Sequence, residues 1–221
     1  MGKIYITRHG ETQWNIEKRM QGHKNSPLTE QGRLQAQWLS DRLYDTNIDL
    51  VLSSPLERAL TTSEIIVCDR DIEILAVEDL REINLGSWEG RLVEELEVEY
   101  PEQHGNFWNN PKRFVPEGGE SFQELKERVA RFINHLLAEH GEKDILVVAH
   151  GVVIKSMLNL LHQEGDLEKF WEGPYIAPTS LSTVHLDASG FRVEKMADTS
   201  HYKVHGAHKG WYGAKKGHHR H

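Results

Sequence analysis

A chain of 221 residues, 38% hydrophobic and 27% charged, is long enough for one domain with a substantial core. Its formal net charge of −8 argues against a general nucleic-acid-binding surface, and no apolar run reaches membrane-spanning length. The single cysteine, Cys68, excludes an internal disulfide. With a strand pattern that begins at once and no signal-peptide pattern, a cytoplasmic setting is the expectation.

In chain order, the first predicted element is a strand over 3–7, running straight into Arg8-His9-Gly10. A helix is expected over 29–43, with Thr29 as N-cap and Leu34, Trp38 and Leu39 on one face. A strand over 50–53, a helix over 55–67 with proline near its first turn, and a strand over 72–77 follow. The stretch from about 82 to 120 holds GSWEG, YPEQ, NNPKRF and PEGG. It reads as an irregular insertion with one short acidic helix near 93–99, covering one end of the sheet.

Ser121-Phe-Gln-Glu124 is a capping box opening a helix over 121–140. Phe122, Leu125, Val129, Phe132, Ile133, Leu136 and Leu137 give that helix one apolar face, and Gly141 is its expected stop. Residues 145–149 are apolar without alternation, the pattern of a central strand buried on both faces. A helix over 152–161 and a hairpin of 180–187 with 191–196, turning around Ala188-Ser189-Gly190, complete the series. Alternating strands and helices predict one α/β domain over 1–200, a mostly parallel sheet with helices on both faces. The tail, 201–221, has six histidines and five basic residues but no acidic one. Without a fixed ligand spacing it reads as a flexible extension rather than a metal site.

Twice a predicted strand ends in His-Gly, at His9-Gly10 and at His150-Gly151. Ligands of parallel sheets bind beyond the carboxyl ends of strands, where the connection order reverses, so the two histidines are expected to meet in one cleft. Arg8 puts a fixed cation beside His9, whose neutral imidazole is a competent nucleophile toward phosphorus. Gly10 is expected to let a ligand approach the backbone closely. Arg58, on the first turn of a helix, offers a planar fork suited to two phosphate oxygens. Glu82 is a candidate proton donor, with partial burial and a phosphate dianion expected to raise its pKa. Taken singly, these are a structural histidine, a solvated arginine and one of 34 acids. Their chemistry points to phosphoryl transfer only in combination.

The pieces ITRHGET-x-x-N, LTEQG, SSPLERALTT, LREINLGSWEG, GESF and VVAHGVV occur in this order between about Lys3 and Ser200. Together they resemble the histidine phosphatase superfamily, which has a phosphoglycerate mutase-like fold, and most of all its small bacterial broad-specificity phosphatases. The resemblance implies that His9 is the nucleophile that becomes phosphohistidine, that Arg8, Arg58 and His150 form the phosphate pocket, and that Glu82 is the acid/base. It further implies phosphate donors at Asn15 and the amide of Gly151, and a pocket-lining loop at Gln21 and Gly22. The implied enzyme is a phosphoric monoester hydrolase that needs neither metal nor other cofactor, acts on small phosphorylated metabolites and releases inorganic phosphate. A cofactor-dependent phosphoglycerate mutase is the alternative, for which the insertion offers only Lys112-Arg113 as a basic set. A non-catalytic phospho-ligand module is a third reading. Trp88, Phe107, Trp108, Phe114 and Tyr175 either line the mouth of the pocket or form a small core beneath the insertion.

Overall fold

In the computed structural model, residues 2–163, 165–187 and 190–203 are described. The chain runs through β1 (Lys3–Arg8), α1 (Gln13–Glu17), α2 (Glu30–Leu43), β2 (Leu50–Ser53), α3 (Glu57–Val67) and β3 (Ile74–Ala76). It continues with α4 (Val93–Glu99), α5 (Pro101–Asn109), α6 (Phe122–His140), β4 (Ile145–Ala149), α7 (Gly151–Gln163), β5 (Leu181–Asp187) and β6 (Gly190–Asp198).

The six strands form one sheet in the order β3-β2-β4-β1-β5-β6. The first four strands in that order are parallel to one another, while β5 and β6 are antiparallel additions at the β1 side. The sheet is therefore mixed, with the predicted parallel part forming its centre. β4 lies between β2 and β1 and is buried along its whole length, which accounts for its unbroken apolar run.

The strand period of two sorts side chains onto two faces. Ile4, Ile6, Leu50, Leu52, Ile145 and Val147 face the layer of α6 and α7, joining Val129, Phe132, Leu136, Val153 and Met157. Tyr5, Val51, Leu146 and Val148 face the layer of α2 and α3, joining Ala36, Leu39, Leu43, Ala59 and Ile66. On α2 the buried stripe is Gly32, Ala36, Leu39 and Leu43, whereas Leu34 lies on nearly the opposite side of the helix and is 46% exposed. The expected place of Leu34 on the core face is thus corrected.

α6 starts as its sequence demands. The Ser121 side chain accepts from the Glu124 amide, and the Glu124 carboxylate accepts from the Ser121 amide. Gly141 follows in a right-handed conformation, φ −61°, so the helix does not end in a left-handed glycine cap. The segment expected to be irregular contains α4 at its predicted place and also α5. Pro101, in the YPEQ of that stretch, is the first residue of α5, where its missing N–H costs nothing.

The closing hairpin forms, with residues 188 and 189 of its turn outside the described residues. Of the predicted tail, His201, Tyr202 and Lys203 pack on α2. The Tyr202 ring lies 5.9 Å from Trp38, and Lys203 pairs with Asp41 at 2.7 Å. Residues 204–221 lie outside the described residues.

Candidate active site

β1 and β4 are parallel neighbours in register at Arg8 and Ala149, so the next residue of each is a histidine. The His9 amide donates to the Ala149 carbonyl at 3.0 Å, and the two imidazole centroids lie 5.1 Å apart with planes tilted by 56°. β2, on the other side of β4, ends at Ser53, and the Ser54 hydroxyl lies 2.7 Å from His150 Nε2. Three adjacent parallel strands thus deliver His9, His150 and Ser54 to one point.

One hydrogen bond fixes where the ring proton of His9 sits. His9 Nδ1 lies 2.7 Å from the Gly10 carbonyl, which can only accept. Nδ1 therefore carries the proton and Nε2 the lone pair. Burial, then Arg58, then Arg8 hold the His9 pKa well below the usual imidazole range. Burial, Arg58, His9 and Arg8 do the same to His150. The Ser54 hydroxyl accepts from the Leu56 amide at 3.3 Å and shares a hydrogen bond with His150 Nε2. His150 Nδ1 is buried and has no hydrogen-bond partner among the described residues.

Arg58 stands on the first turn of α3 and is fully buried. Nη2 donates to the Gly22 carbonyl at 2.8 Å, and Nη1 to the Lys24 carbonyl and Asn25 Oδ1 at 2.8 and 3.1 Å. Burial pulls its pKa down to about 10, which leaves it a cation at neutral pH. Arg8 Nη1 donates to the Ile176 carbonyl at 2.9 Å and to the Tyr175 hydroxyl at 3.2 Å. Asn15 closes a capping box with Thr12. Its Oδ1 accepts from the Thr12 amide at 3.1 Å, so its NH2 group is turned the other way. The Glu82 carboxylate accepts from the amides of Ile83, Val152 and Val153 at 3.0–3.2 Å, the last two at the N-terminus of α7.

These side chains surround a cavity of about 70 Å3. Roughly 10–15 Å3 of such space holds one water, so the cavity is the size of a phosphoryl group rather than of a whole metabolite. Arg8, His9, Asn15, Gln21, Gly22, Arg58 and Glu82 all line it. His150 lies behind His9 and is fully buried. Gly151 opens α7 next to the Arg8 guanidinium but is not part of the lining.

Gly10 has a different neighbour from the expected ligand. A Cβ there would lie 2.4 Å from the Gly32 carbonyl oxygen, and a Cβ on Gly32 would lie 2.1 Å from the Glu11 carbonyl oxygen. The two glycines let α2 press against the loop after His9.

The same cavity is also lined by Trp14, Lys18, Arg19, Met20, Ile83, Leu85, Val152 and Tyr175. Of the aromatic residues of the insertion, Trp88 and Phe114 are core, with ring centroids 5.2 Å apart. Phe107 is buried against both while also lining the cavity, and Trp108 packs against Phe107 at 4.7 Å. The two readings of this group are both realised, by different residues.

Sequence reasoning passed over the roles in the site of Ser54, Trp14 and Lys18. Ser54 had a signal in its place directly after a buried strand; Trp14 sits on, and Lys18 ends, a short helix whose pattern is too brief to read. A larger open groove of about 510 Å3, bordered by Lys112, Lys126 and Lys169, contains none of the site residues. Among the described residues, no cluster of three or more His, Cys, Asp or Glu side chains is arranged to hold a metal ion, and no helix is long and apolar enough to cross a membrane.

Neutral imidazoles and buried arginines around a phosphoryl-sized cavity, set on the carboxyl ends of parallel strands, are the equipment of an enzyme acting on phosphate esters. A profile of the histidine phosphatase superfamily (branch 1) matches residues 4–199, and the chain belongs to that superfamily. It is 32% identical to phosphoserine phosphatase 1 of Hydrogenobacter thermophilus, over 91% of this chain and 94% of the relative. It is 37% identical to the adenosylcobalamin/alpha-ribazole phosphatase of Escherichia coli, over 71% of this chain and 77% of the relative. Other relatives carry phosphoglycerate mutase names. The solved structure of Bacillus stearothermophilus YhfR superposes with a TM-score of 0.87 at 37% identity, covering 91% of this chain and 99% of that one.

Proposed function

We propose that this protein hydrolyses small phosphate monoesters through a phosphohistidine on His9, without a metal ion. The observation that carries this reading is the His9 tautomer. Its Nδ1 proton is held by the Gly10 carbonyl, so Nε2 presents a lone pair in a cavity of phosphoryl size. In the first step Nε2 attacks phosphorus, the bond to the ester oxygen breaks, and protonated Glu82 gives its proton to the departing oxygen. In the second, water attacks the phosphohistidine, the Glu82 carboxylate takes a proton from it, and inorganic phosphate leaves. Arg8, Arg58 and the Asn15 amide face the charge on the transferring oxygens, with the His150 ring packed against His9. Two arginines supply the positive charge that magnesium supplies elsewhere.

The apolar part of the lining favours esters with an aromatic or otherwise apolar body, because Trp14, Met20, Leu85 and Phe107 belong to it. Broad specificity and a cytoplasmic location fit this reading. The mutase alternative needs a basic set for a substrate carboxylate. Of Lys112-Arg113, Lys112 is paired with Glu168 at 2.7 Å beside the separate groove, and neither residue lines the cavity. Besides Arg8 and Arg58, the cations that do line it are Lys18 and Arg19, the latter tied to Glu17 and the Gly90 carbonyl, so a mutase would have to use these rather than Lys112-Arg113.

The test is hydrolysis of p-nitrophenyl phosphate in excess EDTA by the wild type and His9→Ala. Activity in the wild type that the substitution abolishes supports the reading. Activity that returns only with a divalent metal, or that survives in His9→Ala, rejects it. Conversion of 3-phosphoglycerate to 2-phosphoglycerate exceeding hydrolysis would move the mutase to the front.

A further inference from the structure

We infer that Arg128 and Glu120 are positioning residues that hold the acid/base Glu82 at its working depth. This deepens the proposed function and rests on the acid role assigned there. Glu82 sits in a segment without ladder hydrogen bonds, between a 3-10 turn at Glu78–Leu80 and another at Gly86–Trp88. Such a segment needs other partners for its backbone if a side chain on it is to stay fixed.

Arg128 of α6 supplies them. Nη1 donates to the carbonyls of Asp79 and Arg81 at 2.6 and 2.9 Å, and Nη2 reaches the Glu82 carbonyl at 3.5 Å. The rest of the fork is taken by Glu120, which accepts from Nε at 2.8 Å and from Nη2 at 2.7 Å. Both side chains of this pair are only 13% exposed. Glu120 in turn grips the other side of the acid: its carboxylate accepts from the Asn84 amide at 3.3 Å, and its amide donates to the Asn84 carbonyl at 2.7 Å.

The pair therefore brackets residues 79–84 from the rigid end of a capped, nineteen-residue helix. A lysine cannot replace the fork, since it has three donors on one atom and no planar spread. The Glu82 carbonyl also accepts from His23 Nε2 at 2.9 Å, which joins the bracket to the loop that Arg58 holds.

The test compares kcat/KM for phenyl phosphate and p-nitrophenyl phosphate in the wild type, Glu82→Gln, Arg128→Lys and Glu120→Gln. Phenolate is the poorer leaving group and needs the acid more. kcat/KM reports transfer to His9 and not the later hydrolysis, and its ratio between two substrates does not depend on the fraction of folded enzyme. Glu82→Gln is expected to lose about tenfold more on phenyl phosphate than on p-nitrophenyl phosphate. Arg128→Lys and Glu120→Gln are expected to shift the ratio in the same direction by about threefold or more. Equal losses on both substrates in these two variants, with Glu82→Gln selective, would overturn the positioning role and leave the acid in place. A Glu82→Gln variant with an unchanged ratio would remove the acid role itself, and this inference with it. If Arg128→Lys fails to fold, Glu120→Gln reads the same ratio.

Discussion

The imidazoles of His9 and His150 lie 5.1 Å apart because β1 and β4 are hydrogen-bonded neighbours in register at the preceding residue. The pairing of the two rings is thus a property of the sheet, while their orientation is set by single hydrogen bonds, from His9 to the Gly10 carbonyl and between His150 and Ser54.

Ser54→Ala removes the group that orients His150 and leaves Nε2 buried without a partner. A lost buried partner costs roughly 1–2 kcal/mol, or about tenfold in kcat/KM, if His150 serves the transition state. The check is p-nitrophenyl phosphate kinetics alongside near-UV circular dichroism, which should not change. Unaltered kinetics would mean that His150 needs no such anchor.

Acid should destabilise the protein earlier than its carboxylates alone would cause. His9 and His150 have folded pKa values well below 6.5, whereas the unfolded chain protonates them near 6.5. The unfolded state then binds more protons below that value, so stability falls as pH drops from about 6.5 toward the folded pKa values. Each histidine contributes a slope of about 1.4 kcal/mol per pH unit in that window. His201, pulled down to about 4 chiefly by burial, adds to the same slope. Urea unfolding between pH 7 and 5 should show it, and His9→Asn combined with His150→Asn should flatten the curve.

Gly32→Ala tests the contact between α2 and the loop after His9. A Cβ there meets backbone on the facing loop, which cannot rotate away. We expect a destabilisation of about 1–3 kcal/mol and a loss of activity beyond that caused by unfolding, because Gly10 and His9 move with the loop. Thermal melts and kinetics at a temperature where the variant is folded would separate the two effects.

Trp14→Ala should raise KM for naphthyl phosphate more than for small aliphatic esters, since Trp14 adds a half-buried aromatic ring to the cavity lining. Equal KM changes for all esters would place the substrate body elsewhere.

Most of the fold was legible because its signals are local and strong. The capping box of α6, the unbroken apolar run of β4 and the doubled strand-His-Gly each follow from short stretches of sequence. What was not legible depends on contacts across the chain. Leu34 reads as core on a helical wheel, but the stripe that faces the sheet is set by where Gly32 meets Glu11. α5 was missed because proline marks both the end of one element and the first turn of the next. In the site, Arg128 looks like a solvated position on α6, and only the fold shows that it faces three carbonyls of the Glu82 segment. Gly10 was assigned to ligand access because nothing in the sequence says that Gly32 lies against it.

The central claim is that His9 Nε2 becomes phosphorylated. The most direct measurement is rapid alkali quenching of enzyme mixed with a labelled phosphate monoester in EDTA, followed by digestion and mapping of the bound phosphate. The account predicts a label on His9, stable to alkali and lost in acid, that forms and decays fast enough to match turnover. No such label in wild type and Glu82→Gln during measurable turnover, or a label on another residue, would contradict it.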